Sequence, residues 1–404
     1  MKRLLTATLA AAGLLLGAAG AVAGETPARP WGGSLRSLNL RGAEGPGELF
    51  PAYRFSSSSL RLETAGSPRE AWRLEGAVDY QLLGADPVDR FPVPGGGVNR
   101  RFDLDHSWRH DRDWQGRIQV DRLSLGWSSA RLDATIGRQA IGFGRIVIFS
   151  PLDIIAPFPV DAIDTDVRPG VDAVRLTGHY GLDGQLGAVA VFGDTARHDS
   201  YLATWADNRG GIDLLALGGV LRHRPMLGAG LAGSLGSLGL KGEAAYFEGE
   251  RVGAPGGDPY RRMLNAAIEG WYRFDNGLTL IVQYLHNGCG SRQAEDYPAI
   301  ALSAPLREGL TNLLGRHYLL AAPSLELHPL VTLNSLLIWN LADDSWLLRP
   351  SLAVNLADNL SLELFWIHPD GPPHRSRPLP FPPELRSEFG DRGKTIGFFM
   401  KWFF

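Results

Sequence analysis

The sequence contains a single cysteine, Cys289, among its 404 residues. One cysteine excludes an intramolecular disulfide framework, even in an exported protein. Because Cys289 is far from the N-terminus, an N-terminal lipid anchor is not expected either. The fold must therefore be held together by non-covalent contacts.

Long hydrophobic runs are also missing beyond the N-terminus. After residue 23, no stretch approaches the roughly eighteen consecutive apolar residues that a transmembrane helix requires. The formal net charge of −3 argues against a nucleic-acid partner. No nucleotide-binding loop, metal-ligand cluster or cofactor motif is present, so no cofactor and no metal are predicted.

The N-terminus has the features of a cleaved secretory signal. Lys2 and Arg3 precede an apolar stretch at 4–16, and Ala21-Val22-Ala23 fits the small-x-small cleavage pattern. We therefore predict a signal peptide at residues 1–23 and a single mature domain at residues 24–404.

The C-terminal residues alternate between large apolar and other side chains. Counting back from the end, the apolar face carries Phe404, Trp402, Met400, Phe398 and Ile396. A period of two predicts a β-strand, and a strand this apolar suits a barrel whose outer face meets lipid. The strand resembles the C-terminal signal of bacterial outer-membrane barrels, which implies recognition by the barrel-assembly machinery.

The same alternation recurs along the chain. In residues 72–82, Leu74 and Val78 share one face, whereas Arg73, Glu75 and Asp79 share the other. These patterns predict an all-β fold, a transmembrane antiparallel β-barrel of about sixteen strands, with fourteen or eighteen as alternatives. In this assignment residues 195–211 form a long loop, and residues 225–235 form a link that is long for a periplasmic turn.

The connection at residues 145–169 differs from the other predicted loops. It combines an apolar run at 146–149 with prolines and with regularly spaced aspartates. Exposed loops rarely carry so many large apolar side chains, which need cover. We predict that this segment folds into the lumen and forms the pore constriction. An extracellular cap packed on itself is the alternative.

Several runs around this segment resemble a known family. They are Gly137-Arg-Gln-x-Ile, Gly142-Phe-Gly, Ser150-Pro-Leu-Asp153 and Arg168-Pro-Gly-Val-Asp172. They are similar to uncharacterised porin-like proteins related to the alginate-export barrels. The resemblance implies an outer-membrane channel, with Arg138, Asp153 and Arg168 at pore-lining or loop-anchoring positions. It implies no particular substrate.

Four aspartates near this segment allow two interpretations. Asp161, Asp164, Asp166 and Asp172 could supply carboxylate oxygens to a calcium ion. Pairs between arginine and aspartate that hold the segment in place are the more ordinary explanation.

An enzyme is the competing class of function. His286-Asn-Gly-Cys289 faintly resembles the histidine region of outer-membrane phospholipases, and Cys289 could act as a nucleophile beside His286. Residues His286 and Cys289 fall on opposite faces of a strand, which argues against a catalytic dyad. A membrane-embedded lipase or deacylase and a plugged structural barrel both stay as alternatives.

The favoured function is passive diffusion of small hydrophilic solutes through a bacterial outer-membrane porin, not catalysis. Selectivity would come from lumen charges. The predicted pore-lining and constriction residues are Arg73, Glu75, Asp79, Arg138, Asp153, Asp161, Asp164, Asp166, Arg168, Glu243, Glu269 and Arg273. The predicted barrel assembly signal consists of Phe398, Met400, Trp402 and Phe404. Expected partners are outer-membrane lipid, lipopolysaccharide and small solutes, with the proline-rich stretch 378–383 as a surface contact.

Overall fold

The computed structural model describes residues 31–47, 49–86, 98–111, 113–160, 162–376 and 384–404. The predicted signal peptide at 1–23 and the proline-rich stretch at 378–383 lie outside the described residues. Within them, no helix is long or apolar enough to cross a bilayer.

The described chain forms nineteen strands of one antiparallel sheet. The strands are β1 (Trp31–Gly42), β2 (Tyr53–Arg69), β3 (Trp72–Asp86), β4 (Asp105–Asp111), β5 (Trp114–Ser128), β6 (Leu132–Gln139), β7 (Val171–Tyr180), β8 (Gly184–Phe192), β9 (Ser200–Arg209), β10 (Ile212–Leu221), β11 (Arg224–Leu235), β12 (Leu238–Glu248), β13 (Arg262–Arg273), β14 (Thr279–Asn287), β15 (His317–His328), β16 (Val331–Asn340), β17 (Ser345–Ala357), β18 (Leu360–Asp370) and β19 (Thr395–Phe403). Short helices at Tyr297–Ala301 and Ala304–Arg307, and 3-10 turns at Ala196–His198 and Ala294–Asp296, lie in the connections.

Eighteen of these strands close into a barrel. The closure joins the first and last strands, since β1 pairs with both β2 and β19, from Ser34 opposite Phe403 to Gly42 opposite Thr395. Short turns connect the strands at the end that carries the C-terminus, which we call the turn end. The longer connections lie at the opposite end, the loop end.

The extra strand, β4, fills a gap in the wall. One edge of β5 pairs with β3, and the other edge is divided between two strands. Residues 123–128 of β5 pair with β6, and residues 114–119 pair with β4. Strand β4 therefore continues the position of β6 towards the loop end, where the chain after Gln139 leaves the wall.

The prediction of about sixteen strands is wrong, because the sequence assignment missed β9 and β11. Strand β9 lies inside the predicted loop at 195–211, and β11 is the link at 225–235. The glycines of β11 weaken its alternation, and the structure explains two of them. A Cβ on Gly228 or Gly230 would lie 2.7 or 3.1 Å from the side chain of Leu152. These positions stay small because residue 152 packs against them.

Successive residues of each strand face opposite sides of the barrel wall. Val78 is exposed on the outside, whereas the neighbouring Ala77 is buried inside, and Leu264, Ile268 and Leu364 are also exposed. On β19 the outer face carries Phe398, Met400, Trp402 and Phe404, and Phe399 and Lys401 point inwards. The apolar outer face is the one that a lipid environment requires.

Candidate functional site

The segment at residues 145–169 is here called the inward segment, and its described residues, 145–160 and 162–169, pack against the inner face of the barrel wall. Its backbone amides are held by polar side chains on the inner face of β12, β13 and β14. Ile146 N–H donates to Glu243 Oε1 at 3.0 Å, and Val147 N–H donates to Glu269 Oε2 at 2.8 Å. Gln283 accepts from Phe149 N–H at 3.0 Å and donates to its carbonyl at 2.7 Å. Glu269 and Gln283 are fully buried, so they satisfy the hydrogen-bonding groups of the segment's irregular backbone where water is excluded.

The apolar side chains of the inward segment supply much of the buried core. Leu152, Ile154 and Ile155 pack with inner-face residues of β7 to β13. Ile146, Phe149 and Val160 pack with inner-face residues of β13 to β17. Val147 is the exception, with 61% of its surface exposed. The segment therefore buries most of its apolar side chains by packing against the inner face of one part of the barrel wall.

Acidic residues of the inward segment are paired with cations. Arg36 on β1 lies 2.9 Å from Asp164, and Lys401 on β19 lies 2.9 Å from Asp166. Within the segment, Arg168 forms an ion pair with Asp153 and donates to the carbonyl of Ala156 at 3.0 Å. Asp161 lies outside the described residues. The segment is thus attached to the wall by charge at β19 and β1.

Arg138 and Asp172 form a buried ion pair at the point where the inward segment leaves the wall. The Nε of Arg138 lies 2.8 Å from Asp172, and the arginine is only 2% exposed. Arg138 also donates to the carbonyls of Val120 and Phe102. These contacts join β5, β6, β7 and residues 98–104, so Arg138 acts as an anchor.

A charge cluster on β2, β3, β5 and residues 98–104 lies beside the end of the inward segment, where Arg122 donates to the carbonyl of Arg168. It consists of Arg61, Asp79, Arg100, Asp121 and Arg122. Arg61 bridges Asp79 and Asp121 at 3.0 and 2.9 Å, and Arg100 reaches Asp121 at 3.0 Å. Arg122 donates to the same aspartate. Asp121 therefore binds three guanidinium groups, which come from β2, from β5 and from residues 98–104.

Two cavities near the turn end mark open parts of the lumen. One, of about 450 Å³, is lined in part by Arg73, Glu75, Arg122, Asp133 and Arg175. The other, of about 520 Å³, is lined in part by Arg145, Asp183, Asp207 and Asp213. Both cavities include His179 and Gln185. Charges of both signs thus face this part of the lumen.

The remaining predicted positions are only partly brought together. Arg73 and Glu75 form an ion pair at 2.8 Å beside the first cavity, and Arg273 is exposed at the turn end of β13. In the described part of the chain, no group of three or more possible ligands is arranged to hold a metal ion. Asp164, Asp166 and Asp172 bind cationic side chains instead.

His286 and Cys289 lie on opposite sides of the wall. Cys289 is fully buried, with its Sγ 3.7 Å from Sδ of Met263. Burial raises the pKa of the Cys289 thiol to about 12, which disfavours the thiolate. His286 contacts His317 instead, with ring centroids 5.0 Å apart. This arrangement offers no support for a dyad of the two residues.

Several residues of this site were not predicted from the sequence. They are Arg36, Arg61, Arg100, Asp121, Arg122, Arg145, Gln283 and Lys401. Arg61 lies between Leu60 and Leu62, so the alternation used for β3 would have found it. Asp121 sits at a bulge, because Ala77 pairs with Arg122 and Val78 pairs with Val120. The bulge shifts the parity of β5 and hides this residue.

No protein-family model matches the chain, and no curated protein matches it. Among solved structures, OccAB3 of Acinetobacter baumannii is similar with a TM-score of 0.54 at 11% identity, covering 93% of this chain and 98% of its own. OccK2 (OpdF) of Pseudomonas aeruginosa, in complex with glucuronate, has a TM-score of 0.54 at 11% identity, covering 93% and 97%. A BenF-like porin from Pseudomonas fluorescens Pf-5 has a TM-score of 0.52 at 12% identity, covering 93% and 98%. The chain therefore has the closed barrel fold of the outer-membrane porins.

Proposed function

We propose that the protein is a bacterial outer-membrane porin for passive diffusion of small hydrophilic solutes. The observation that carries this proposal is the eighteen-strand barrel with an apolar outer face and a polar, charged lumen. A barrel of this size is too wide for wall side chains alone to fill. Solutes then cross through water instead of lipid. By the usual orientation of such barrels, the turn end faces the periplasm.

The inward segment forms the constriction in this proposal. It packs against the inner face of β7 to β17 and forms ion pairs with β19 and β1, so we place the passage beside the charge cluster on β2, β3 and β5. Its backbone is fixed by Glu243, Glu269 and Gln283, so the narrow section has a defined shape. Diameter and fixed charge together would set selectivity.

Reconstitution in planar bilayers tests the proposed function. We expect discrete conductance steps in potassium chloride that persist without any energy source and are reduced by sugars small enough to enter. Unfolded or heat-treated protein is the control. A folded barrel that yields no steps at any salt concentration would support the plugged structural barrel instead.

The paired aspartates of the inward segment should set the ion preference. Changing Asp164 and Asp166 together to Asn frees Arg36 and Lys401, which adds positive charge beside the passage. We expect the cation-to-anion permeability ratio to fall, measured from reversal potentials in a salt gradient. The change should shrink at 1 M salt, where the screening length is about 3 Å.

Asp194→Asn is the matched control for this prediction, because Asp194 is exposed at the loop end and pairs with His198. It should leave the permeability ratio unchanged. An unchanged ratio in the double variant at low salt would mean that the two ion pairs lie away from the permeation path.

Two finer points belong to the same proposal. The local runs around Arg138, Asp153 and Arg168 suggest a relation to the alginate-export barrels, and the anchoring contacts of these residues are in keeping with it. Recognition of the outward-facing Phe398, Met400, Trp402 and Phe404 by the barrel-assembly machinery is proposed on the sequence pattern alone.

A further inference from the structure

A small polar cavity at the loop end collects arginines from four connections. It has a volume of about 110 Å³ and lies apart from the two lumen cavities. We call this cavity the arginine pocket, because its lining includes five arginines, namely Arg197, Arg222, Arg224, Arg251 and Arg307. They come from the connections β8–β9, β10–β11, β12–β13 and β14–β15, with Arg224 at the start of β11.

The positive charge of the arginine pocket exceeds the negative charge around it. Arg224 lies 2.8 Å from Asp258 and 2.6 Å from Glu308, and Arg197 lies 2.6 Å from Glu250. Five guanidinium groups thus face three carboxylates. Within the described residues, no carboxylate pairs with Arg251 or Arg307.

Burial makes the charge on two of the five arginines costly without an anion, whereas Arg197, Arg251 and Arg307 are exposed. Arg222 and Arg224 are only 9% and 3% exposed. Arg222 donates to the carbonyls of Ile155 and Glu308, and its nearest carboxylate oxygen, on Glu308, lies 3.8 Å away. Like charges in a poorly hydrated cavity repel strongly, so a bound anion would relieve the repulsion.

The backbone at the pocket is also unusual for its sequence. Arg222 and His223 form the two-residue turn between β10 and β11, with φ angles of 47° and 67°. Positive φ at both positions is the type I′ pattern, which favours Asn-Gly. Arg251 likewise has a φ of 53°. The fold therefore keeps arginines at backbone positions that arginine disfavours, as is common at binding sites.

We propose that the arginine pocket binds an oxyanion, namely a phosphate or phosphoryl group. The planar fork of a guanidinium matches the geometry of phosphate oxygens and can donate two hydrogen bonds to them. The group could belong to a glycolipid of the outer leaflet or to a dissolved phosphorylated solute. The site does not depend on conduction, so its test needs no current measurement.

The test is a titration of the folded, detergent-solubilised protein with inorganic phosphate. Calorimetry would give the Kd, and thermal unfolding at constant ionic strength with chloride as the reference anion would give the stabilisation. A ligand that binds only the folded state must raise Tm. We expect phosphate to bind and to raise Tm above the chloride reference.

Arg251→Gly is the informative variant. Glycine accepts positive φ without strain, so the unliganded protein should be at least as stable as the parent. Loss of a charge-assisted contact should raise the phosphate Kd about tenfold. Asp344→Gly is the matched control, because Asp344 also has a positive φ, of 61°, but lies in the β16–β17 connection outside the pocket. It should leave the Kd unchanged.

Two results would overturn the proposal: no phosphate effect beyond that of chloride in the parent protein, or a phosphate Kd equal to the parent's in both Arg251→Gly and Arg307→Ala.

Competition with lipopolysaccharide identifies the source of the phosphoryl group. Displacement of phosphate by intact but not by dephosphorylated lipopolysaccharide supports a glycolipid phosphate. Phosphate binding that neither form disturbs supports a dissolved phosphoryl solute. Equal displacement by both forms contradicts phosphoryl recognition.

Discussion

Replacing residues 142–168 by a short glycine-serine link is expected to raise the single-channel conductance severalfold. The narrowest section of a water-filled pore dominates its electrical resistance, and the inward segment fills lumen space against β7 to β17. The replacement is feasible because Gln139 and Val171 are register partners in the wall, so a short turn can join β6 to β7. Conductance in planar bilayers is the measurement.

Folding of this shortened protein is checked separately by its gel mobility before and after heating. Changing both Glu243 and Glu269 to Ala provides a milder version, since it removes acceptors of the segment's amides while the segment stays present. That variant should give noisier currents. A shortened protein that folds and conducts like the parent would show that the inward segment does not limit the flow.

The substitution Ile136→Arg is expected to destabilise the barrel by about 2–4 kcal/mol, which is the cost of an arginine side chain at a bilayer midplane. Ile136 lies on the outer face of β6, with 58% of its surface exposed, and it pairs with Leu125 and Val174. The guanidinium would have to leave water for lipid. The free energy of unfolding in lipid vesicles, from a guanidinium chloride titration, is the measurement.

Thr135→Arg is the neighbouring control. Thr135 lines the lumen cavity of about 450 Å³, so an arginine there stays in water and should cost little. The two variants differ by one position along the same strand. Equal destabilisation of both would mean that the face assignment of β6 is incorrect.

Alternation predicted the fold class because lipid and water impose opposite demands on successive residues. It worked for β3 and β13, where Leu74 and Ile268 face outwards and Glu75 and Glu269 face inwards. It failed for β11, where Gly228 and Gly230 make room for Leu152. That glycine requirement comes from a segment distant in the sequence, so no local pattern could reveal it.

The candidate site shows the same division between local and distant information. The sequence indicated that Glu243 and Glu269 face the lumen, but not that they accept hydrogen bonds from backbone amides. Arg36 and Lys401 were not recognised as partners of Asp164 and Asp166, because these pairs join the two ends of the chain to its middle. Period and composition predict which face a residue occupies, whereas its partner depends on how the strands assemble.

The pairing of β1 with β19 has a consequence for biogenesis. Until the last strand has been synthesised, β1 has an unpaired edge whose amides and carbonyls are open to other strands. The closing contacts span almost the whole chain, and such distant pairings slow folding. A chain truncated before Thr395 would lack the strand that seals the sheet. We therefore expect the chain to need protection from aggregation until β19 pairs with β1, and closure to be the step that completes the barrel.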